Sequence, residues 1–370
     1  MQGYLAILRR NFMAITTPRF PATIPTFHIE LKKRVNAYFH ERKIKPTGNW
    51  RLHLKTAIIV FTFVATYLWL VFFTPSILPA VLLCILMGIN VAAVGFNIMH
   101  DGAHGSYSKN SVINQMAASS LDIMGASSFL WKTKHNIIHH TYTNIDGVDD
   151  DIDVRPWLRL APAQKRYSFH RFQHFYFLAL YAQLYLFWVF FRDFKKYFAG
   201  KIGNIAVTKR KRFDEFTFWG SKVSFLIFFI VLPIYMVGIW RFLPGFFIFL
   251  STCGIIISVV FQLAHAVDDV EFLNPNPETD KMKDEWAVHQ VKTTANFATK
   301  NKIVTWFVGG LNFQIEHHLF PRISHIHYPA VSKIVKQTAQ DFGIKYKEFP
   351  NLTAAIYAHV VHLRKMGMAE

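Results

Sequence analysis

Histidine recurs along this chain at spacings that suit a metal centre. Three clusters stand out: His100-Asp-Gly-Ala-His104, His135-Asn-Ile-Ile-His139-His140 and Gln314-Ile-Glu-His317-His318. Neutral imidazole is the commonest metal-binding side chain and suits iron, zinc and copper. Positions i and i+4 share one face of a helix, so His100 with His104, and His135 with His139, can bind one ion or flank two. His140 is turned aside toward a neighbouring ion, and Gln314 sets an amide one turn before His317 where the other clusters open on an imidazole. With 18 histidines in 370 residues, a His-x-x-x-His-His triple is expected only about 0.04 times by chance. A lone His-His pair carries little weight, and the argument rests on the constellation. The only two cysteines, Cys84 and Cys253, lie in apolar stretches, which argues against both a disulfide framework and a thiolate site.

The elements that must carry these clusters are membrane helices. The chain is 52% hydrophobic and 16% aromatic, too apolar for an ordinary soluble domain. From Thr56 to His100 there is no Asp, Glu, Lys or Arg, and from Val223 to Val267 the only one is Arg241. At about 1.5 Å per residue, each block is long enough to cross a roughly 30 Å hydrocarbon core twice. Turn signals at Thr74-Pro-Ser-Ile-Leu-Pro79 and Trp240-Arg-Phe-Leu-Pro-Gly245 predict spans at 56–73, 78–98, 222–240 and 245–265. The expected fold is an all-α integral membrane protein: four transmembrane helices in two hairpins, with a cytoplasmic helical cap holding a di-metal site. Long buried helices of a soluble protein are disfavoured, because neither block has a polar face of helical period.

Charge orients the hairpins. The first 55 residues carry eleven Lys/Arg, the loop at Thr74–Pro79 none and that at Trp240–Gly245 one. The positive-inside rule then places both hairpin tips outside and both termini, with the middle segment, in the cytoplasm. The membrane is the inner membrane of a bacterium or the endoplasmic reticulum. A formal charge of +18 favours anionic lipid surfaces, acidic partner proteins or anionic head groups, whereas no motif points to nucleic acid. The first apolar block starts too late and runs too long for a cleaved signal peptide, so the first span is expected to stay as the insertion signal.

Residues 1–55 form a basic N-terminal segment interrupted by Pro18, Pro21, Pro25 and Pro46, with Ile29–Phe39 its best helical stretch. Residues 56–345 form the membrane-embedded domain and 346–370 a C-terminal tail, with a soluble helix expected near Ala330–Gln340. Phe175–Phe191 is apolar, 17 residues long and rich in Tyr and Trp. As a fifth span it would put the second and third clusters on opposite faces of the membrane, so it is read as one helix lying at the interface.

The three clusters, in this order around two hairpins, resemble the histidine boxes of membrane fatty acid desaturases. Flanking strings agree: Gly102-Ala-His-Gly-Ser-Tyr-Ser108, His139-His-Thr-Tyr-Thr-Asn-Ile145 with Asp149-Asp-Asp-Ile-Asp153, Phe261-Gln-Leu-Ala-His265, and Asn312-Phe-Gln-Ile-Glu-His-His-Leu-Phe-Pro321. The resemblance covers roughly residues 50–345. Glutamine opening the third box is similar to the front-end, linoleoyl-CoA (delta-6) branch.

The resemblance implies a non-haem centre of two iron ions, with O₂ as co-substrate and two electrons, that sets a cis double bond in a fatty acyl-CoA or acyl-lipid. His100, His104, His135, His139, His140, His317 and His318 carry over as ligands, and His265 joins them from the last span. Gln314 ligates directly or through water. Eight imidazoles exceed the capacity of one ion, which argues for two metals. Asp101, Asp149, Asp150, Asp153 and Glu316 are placed to accept the remaining ring N–H groups, with a solvated acidic loop the alternative for Asp150 and Asp151. His289, His325 and His327 are further candidates around the centre. Neither terminus carries the His-Pro-Gly-Gly motif of a fused cytochrome b5, so a separate electron donor, a ferredoxin or cytochrome b5, is expected. Lys209-Arg-Lys-Arg212 suits such a donor, an acyl-CoA phosphate, or simply the basic flank of the next span. Two competitors stand beside this reading: a di-iron membrane hydroxylase of alkyl or sphingoid chains, and a histidine-rich divalent-metal transporter. The transporter predicts polar residues throughout the spans, whereas Asn90, Asn97, Gln262 and His265 all sit toward the cytoplasmic ends.

Overall fold

A computed structural model describes residues 17–21, 26–207 and 210–369. Of the positions singled out above, Pro25 and Lys209 lie outside them. Among the described residues, four helices are long and apolar enough to cross a membrane: Trp50–Phe72, Ile77–His104, Arg212–Val237 and Ile239–His265. They form two hairpins, and the first three run beyond the expected spans at the ends nearer the histidines. The second turn differs from expectation. The chain reverses at Gly238, with φ +79°, and the Trp240–Gly245 segment is already helical, with Pro244 inside the helix. Glycine takes the left-handed conformation without steric cost, so it makes the turn ahead of the Pro-Gly pair that had suggested it.

The second and fourth spans are the inner pair, 44% and 39% buried, against 22% and 17% for the first and third. In lipid there is no hydrophobic drive between helices, so association relies on close van der Waals approach. Gly88 supplies it: a Cβ there would stand 2.7 Å from the Phe249 carbonyl oxygen and from Thr252 Cβ. Asn90 ties the second span to the first, accepting from Thr62 Oγ1 at 3.0 Å and donating to Thr66 Oγ1 at 3.3 Å.

Residues 168–199 do not form the single interfacial helix expected for Phe175–Phe191. They form two helices, Ser168–Ala182 and Leu184–Ala199, bent by 57°. The bend wraps the fourth span at Gly254, whose Cβ position lies 2.7 Å from the Tyr181 carbonyl oxygen and 2.9 Å from that of Ala182. Polar tips on either side of the bend hold different partners. The Tyr181 hydroxyl meets His359 Nε2 at 2.8 Å, and the Tyr185 hydroxyl donates to the Met124 carbonyl at 2.6 Å.

Among the described residues the cap combines helices and irregular loops with two pairs of two-residue strands, Lys201–Ile202 with Ile205–Ala206 (antiparallel) and Asn296–Phe297 with Glu348–Phe349 (parallel). Thr26–Glu41 buries Phe27, Leu31, Val35 and Phe39, a stripe at helical spacing, against Tyr328–Asp341, which buries Val331, Val335 and Ala339. Residues 346–370 are more than a tail. Leu352–Met368 is a helix whose Ala355, Ala358, His359, His362 and Leu363 are buried. Arg159 fastens its end, donating to the Met366 carbonyl at 2.9 Å and that of Ala369 at 2.6 Å.

Candidate metal centre

The first histidine cluster follows a π-type turn directly, and the second begins inside one. Residues Gly95–Met99 wind as a π segment, so the His100 N–H bonds the Gly95 carbonyl, and Thr133–His139 do the same, with the His140 N–H on the His135 carbonyl. One extra residue per turn rotates the side chains that follow, and such bulges recur at functional sites. The first cluster stays together, while the second and third each divide. His100, His104, His135 and His317 form one nest, and His139, His265 and His318 a second; within each nest the donor atoms lie within 4.8 Å of one another. His140 stands between them, its ring centre 4.5 Å from that of His317 and 4.4 Å from that of His318. His265 reaches the second nest from the last residue of the fourth span.

The inward nitrogens want a cation. Nε2 of His135 lies 3.3 Å from Nε2 of His100 and 3.2 Å from Nε2 of His140. Nε2 of His104, His139, His265, His317 and His318 is buried with no hydrogen-bond partner among the described residues. Buried polar atoms are rarely left unpaired, so this many in one place fits a metal-binding donor set. Oε1 of Gln314 is buried as well, with no hydrogen-bond partner among the described residues.

Electrostatics keep the lone pairs available. Burial lowers the pKa of His135, His140, His317 and His318 well below the ordinary value, so these rings are neutral. His139 differs: burial pulls it down, but the charge and hydrogen bond of Asp149, with Asp151 behind, raise it above the ordinary value.

The outward nitrogens are held by a second ring of groups. Asp149 takes Nδ1 of His139 at 3.0 Å, and Asp151 lies 3.5 Å from the same atom while pairing with Lys134. Nδ1 of His317 meets the Tyr328 hydroxyl at 3.2 Å. Nδ1 of His318 meets Oε1 of Gln290 at 2.9 Å and the Thr143 hydroxyl at 3.2 Å. Asn144, at φ +58°, donates to the His265 carbonyl at 2.8 Å and takes Asp149 on its own N–H at 3.0 Å. That left-handed conformation is one that asparagine tolerates.

Other candidates are placed elsewhere. Asp101 turns from the nests to His325 Nδ1 (3.0 Å) and the Ser324 hydroxyl (2.7 Å). Asp150 pairs with Lys196 at 2.5 Å, and Asp153 with Arg155 at 2.7 Å. Glu316 is buried but bonded to Asn296 (2.7 Å) and Tyr346 (2.9 Å); burial pushes its carboxyl up to about 7 against those hydrogen bonds. His289 Nε2 donates to the Thr143 carbonyl at 2.9 Å and belongs to neither nest, and His327 lies 3.3 Å from the Thr47 carbonyl. Gln290 and Tyr328 had no sequence signal of their own, and Thr143 and Asn144 entered only within the string His139–Ile145. For Gln290 the nearest hint was its neighbour, His289.

A cavity of about 590 Å³ opens onto the nests. Its walls include His100, His135 and His265, apolar groups such as Met99, Trp131 and Phe261, and, in the cap, Lys134, Arg155, Lys195 and Lys196.

Apolar spans, paired imidazole nests and a cavity joining them define an integral membrane protein with a histidine-rich site able to hold metal. Residues 75–350 match the family model described as fatty acid desaturase. The chain belongs to that family and is an oxidoreductase of its kind. It is 39% identical over 345 residues to an sn-1 linoleoyl-lipid 6-desaturase of Synechocystis sp., covering 93% of this chain and 96% of the relative. It is 38% identical over 344 residues to the sn-1 linoleoyl-lipid 6-desaturase of Arthrospira platensis, covering 92% and 93%. An acyl-lipid (8-3)-desaturase of Physcomitrium patens is 39% identical over 351 residues, covering 93% of this chain and 72% of the relative.

Proposed function

We propose that each nest holds one iron and that the chain sets a cis double bond in the acyl chain of a membrane lipid. The observation that carries this reading is the pair of nests, rich in imidazole nitrogens without partners among the described residues, opening on one largely apolar cavity. His100, His104, His135 and His317 would hold one iron and His139, His265 and His318 the other, with His140 between them and Gln314 ligating directly or through water. Bound iron would supply the oxidising chemistry: R–CH2–CH2–R′, O₂, two electrons and two protons give R–CH=CH–R′ and two waters. Asp149 keeps the proton of His139 on Nδ1, so the Nε2 lone pair faces inward. Trp131 and Phe261 exclude water from the wall beside the nests, and the cap cations receive the polar end of the substrate.

Parity supports the topology. The second span ends at His104 and the fourth at His265, and both ends join one centre, so the bent helix between them does not cross the membrane. The Lys/Arg bias then puts the centre and both termini on the cytoplasmic side. A ferredoxin or cytochrome b5 docking on the basic cap would supply the electrons. Acyl-lipid is preferred to acyl-CoA because the relatives above are acyl-lipid desaturases by name.

Lipid analysis of cells expressing the chain tests this, with double bonds located by mass spectrometry. A new double bond in intact membrane lipids is expected. Oxygen added to the chain would instead indicate a hydroxylase, and product confined to acyl-CoA would overturn the substrate class.

A further inference from the structure

We propose that the acyl chain enters the cavity sideways from the bilayer, through a window between the bent helix of residues 168–199 and the loop 153–157, while the lipid head group stays outside. This rests on the reading of the cavity as an acyl-chain site and adds the route by which that site is filled. Most residues lining the cavity are buried or half-buried. Its exposed members are Arg155, Trp157, Phe187 and Lys195, and all four come from these two segments. They frame an opening. The loop bridges the two limbs of the bent helix: Arg192 donates to the Asp153 carbonyl at 3.1 Å, and the Tyr176 hydroxyl to the Trp157 carbonyl at 2.9 Å. Leu180, Gln183 and Leu184, at the bend itself, line the same cavity and complete the rim.

Depth decides what passes through. The bend rests on Gly254, which precedes His265 by three turns of the fourth span. At about 1.5 Å per residue that is roughly 16 Å along the axis, about the middle of a hydrocarbon core some 30 Å thick. The two limbs therefore dip into one leaflet and return, with the tip laid against protein, as interrupted backbone within a membrane requires. Phe187, one helical turn from the bend, is 49% exposed, so the window reaches hydrocarbon depth there. Lys195 lies two turns further along the limb, and the bond from Arg192 holds Arg155 and Trp157 toward that end. Trp157 is 60% exposed, and tryptophan beside basic side chains suits the boundary between lipid and water. A mouth for a water-borne substrate would not be rimmed by an exposed phenylalanine and tryptophan. A glycerolipid of the surrounding leaflet fits the order of these groups. Its acyl chain passes Phe187 into the cavity, and its ester oxygens and head group meet the Arg155 and Lys195 cations.

Spin labels and a steric block test the window in the full-length iron-loaded enzyme in lipid nanodiscs. Cys84 and Cys253 are both buried, so labelling is directed to an introduced cysteine. A spin label on Phe187→Cys is expected to collide more readily with dissolved O₂ than with a water-soluble nickel chelate, and one on Trp157→Cys to sit at the lipid–water boundary. A bulky maleimide on either cysteine should slow desaturation of the nanodisc lipid by about tenfold or more, with iron content unchanged. The same maleimide on Phe191→Cys, exposed on the same limb but outside the cavity lining, should leave the rate within about twofold. The two window positions are independent, so if one variant loses its iron the other decides. A Phe187→Cys label that meets the chelate more readily than O₂ overturns the proposal. So does a block that is absent at both window positions or as strong at Phe191→Cys. An unlabelled wild type that forms no double bond in the nanodisc lipid overturns the broader assignment of function instead.

Discussion

Nδ1 of His139 lies 3.0 Å from Oδ2 of Asp149, both side chains fully buried, and the same carboxylate accepts the Asn144 N–H at 3.0 Å. This one contact fixes the tautomer of a nest-forming imidazole and, through Asn144, the position of the fourth span's last residue. Carboxylates in this position ordinarily tune a metal-binding histidine by 10–100-fold in affinity or activity. Asp149→Ala should lower iron occupancy or turnover by about that factor, read by metal analysis and lipid product. Full iron and full turnover would show that Asp149 is merely structural.

Gln290 and His289 are neighbours with different partners. Gln290 faces His318, and His289 faces the Thr143 carbonyl. Gln290→Ala should cost about tenfold or more in metal affinity. His289→Ala should keep the metal and instead cost about 1–3 kcal/mol of stability. Parallel metal titrations and thermal melts separate the two; the reverse pattern would reassign their roles.

The site was legible in part from sequence because box histidines are strung at helical spacings and need no tertiary knowledge to be noticed. Which nest each joins was not legible. That depends on how elements distant in sequence meet, so that His317 and His318, adjacent in the chain, join different nests. The spans were legible because long charge-free blocks have few alternatives in water. The turn at Gly238, the bend at Gln183 and the docked helix Leu352–Met368 were not. Each is decided by a partner distant in sequence, such as Gly254 under the Tyr181 carbonyl or Arg159 at the end of the last helix.

Gly254 gives a packing prediction. A side chain there meets backbone carbonyls of the bent helix, which cannot rotate away. Gly254→Val should lower stability by about 1–3 kcal/mol or more and distort the cavity wall near Tyr181. Melting temperature in detergent checks it; an unchanged melt would mean the bend is free to move.

The last helix should loosen in acid. Burial lowers His359 to about 4, with Tyr181, the Ala266 carbonyl and the His362 ring around it. Burial lowers His362 also. Because the unfolded segment binds protons first, docking is strongest above about pH 6.5 and weakens as pH falls toward 4, by roughly 3 kcal/mol for His359. Hydrogen exchange over residues 352–368 should therefore accelerate across that range, and His359→Gln should flatten the dependence. Exchange that is slowest at pH 4, after correction for intrinsic rates, would contradict the sign.

The most direct test of the central claim is the number and position of irons in the purified wild-type chain, by metal analysis together with anomalous scattering at the iron edge. Two irons per chain are predicted, one among His100, His104, His135 and His317 and one among His139, His265 and His318, with His104→Ala and His265→Ala each emptying its own nest. A single iron, a different metal in the fully active enzyme, or two irons and full activity retained in both variants would contradict it.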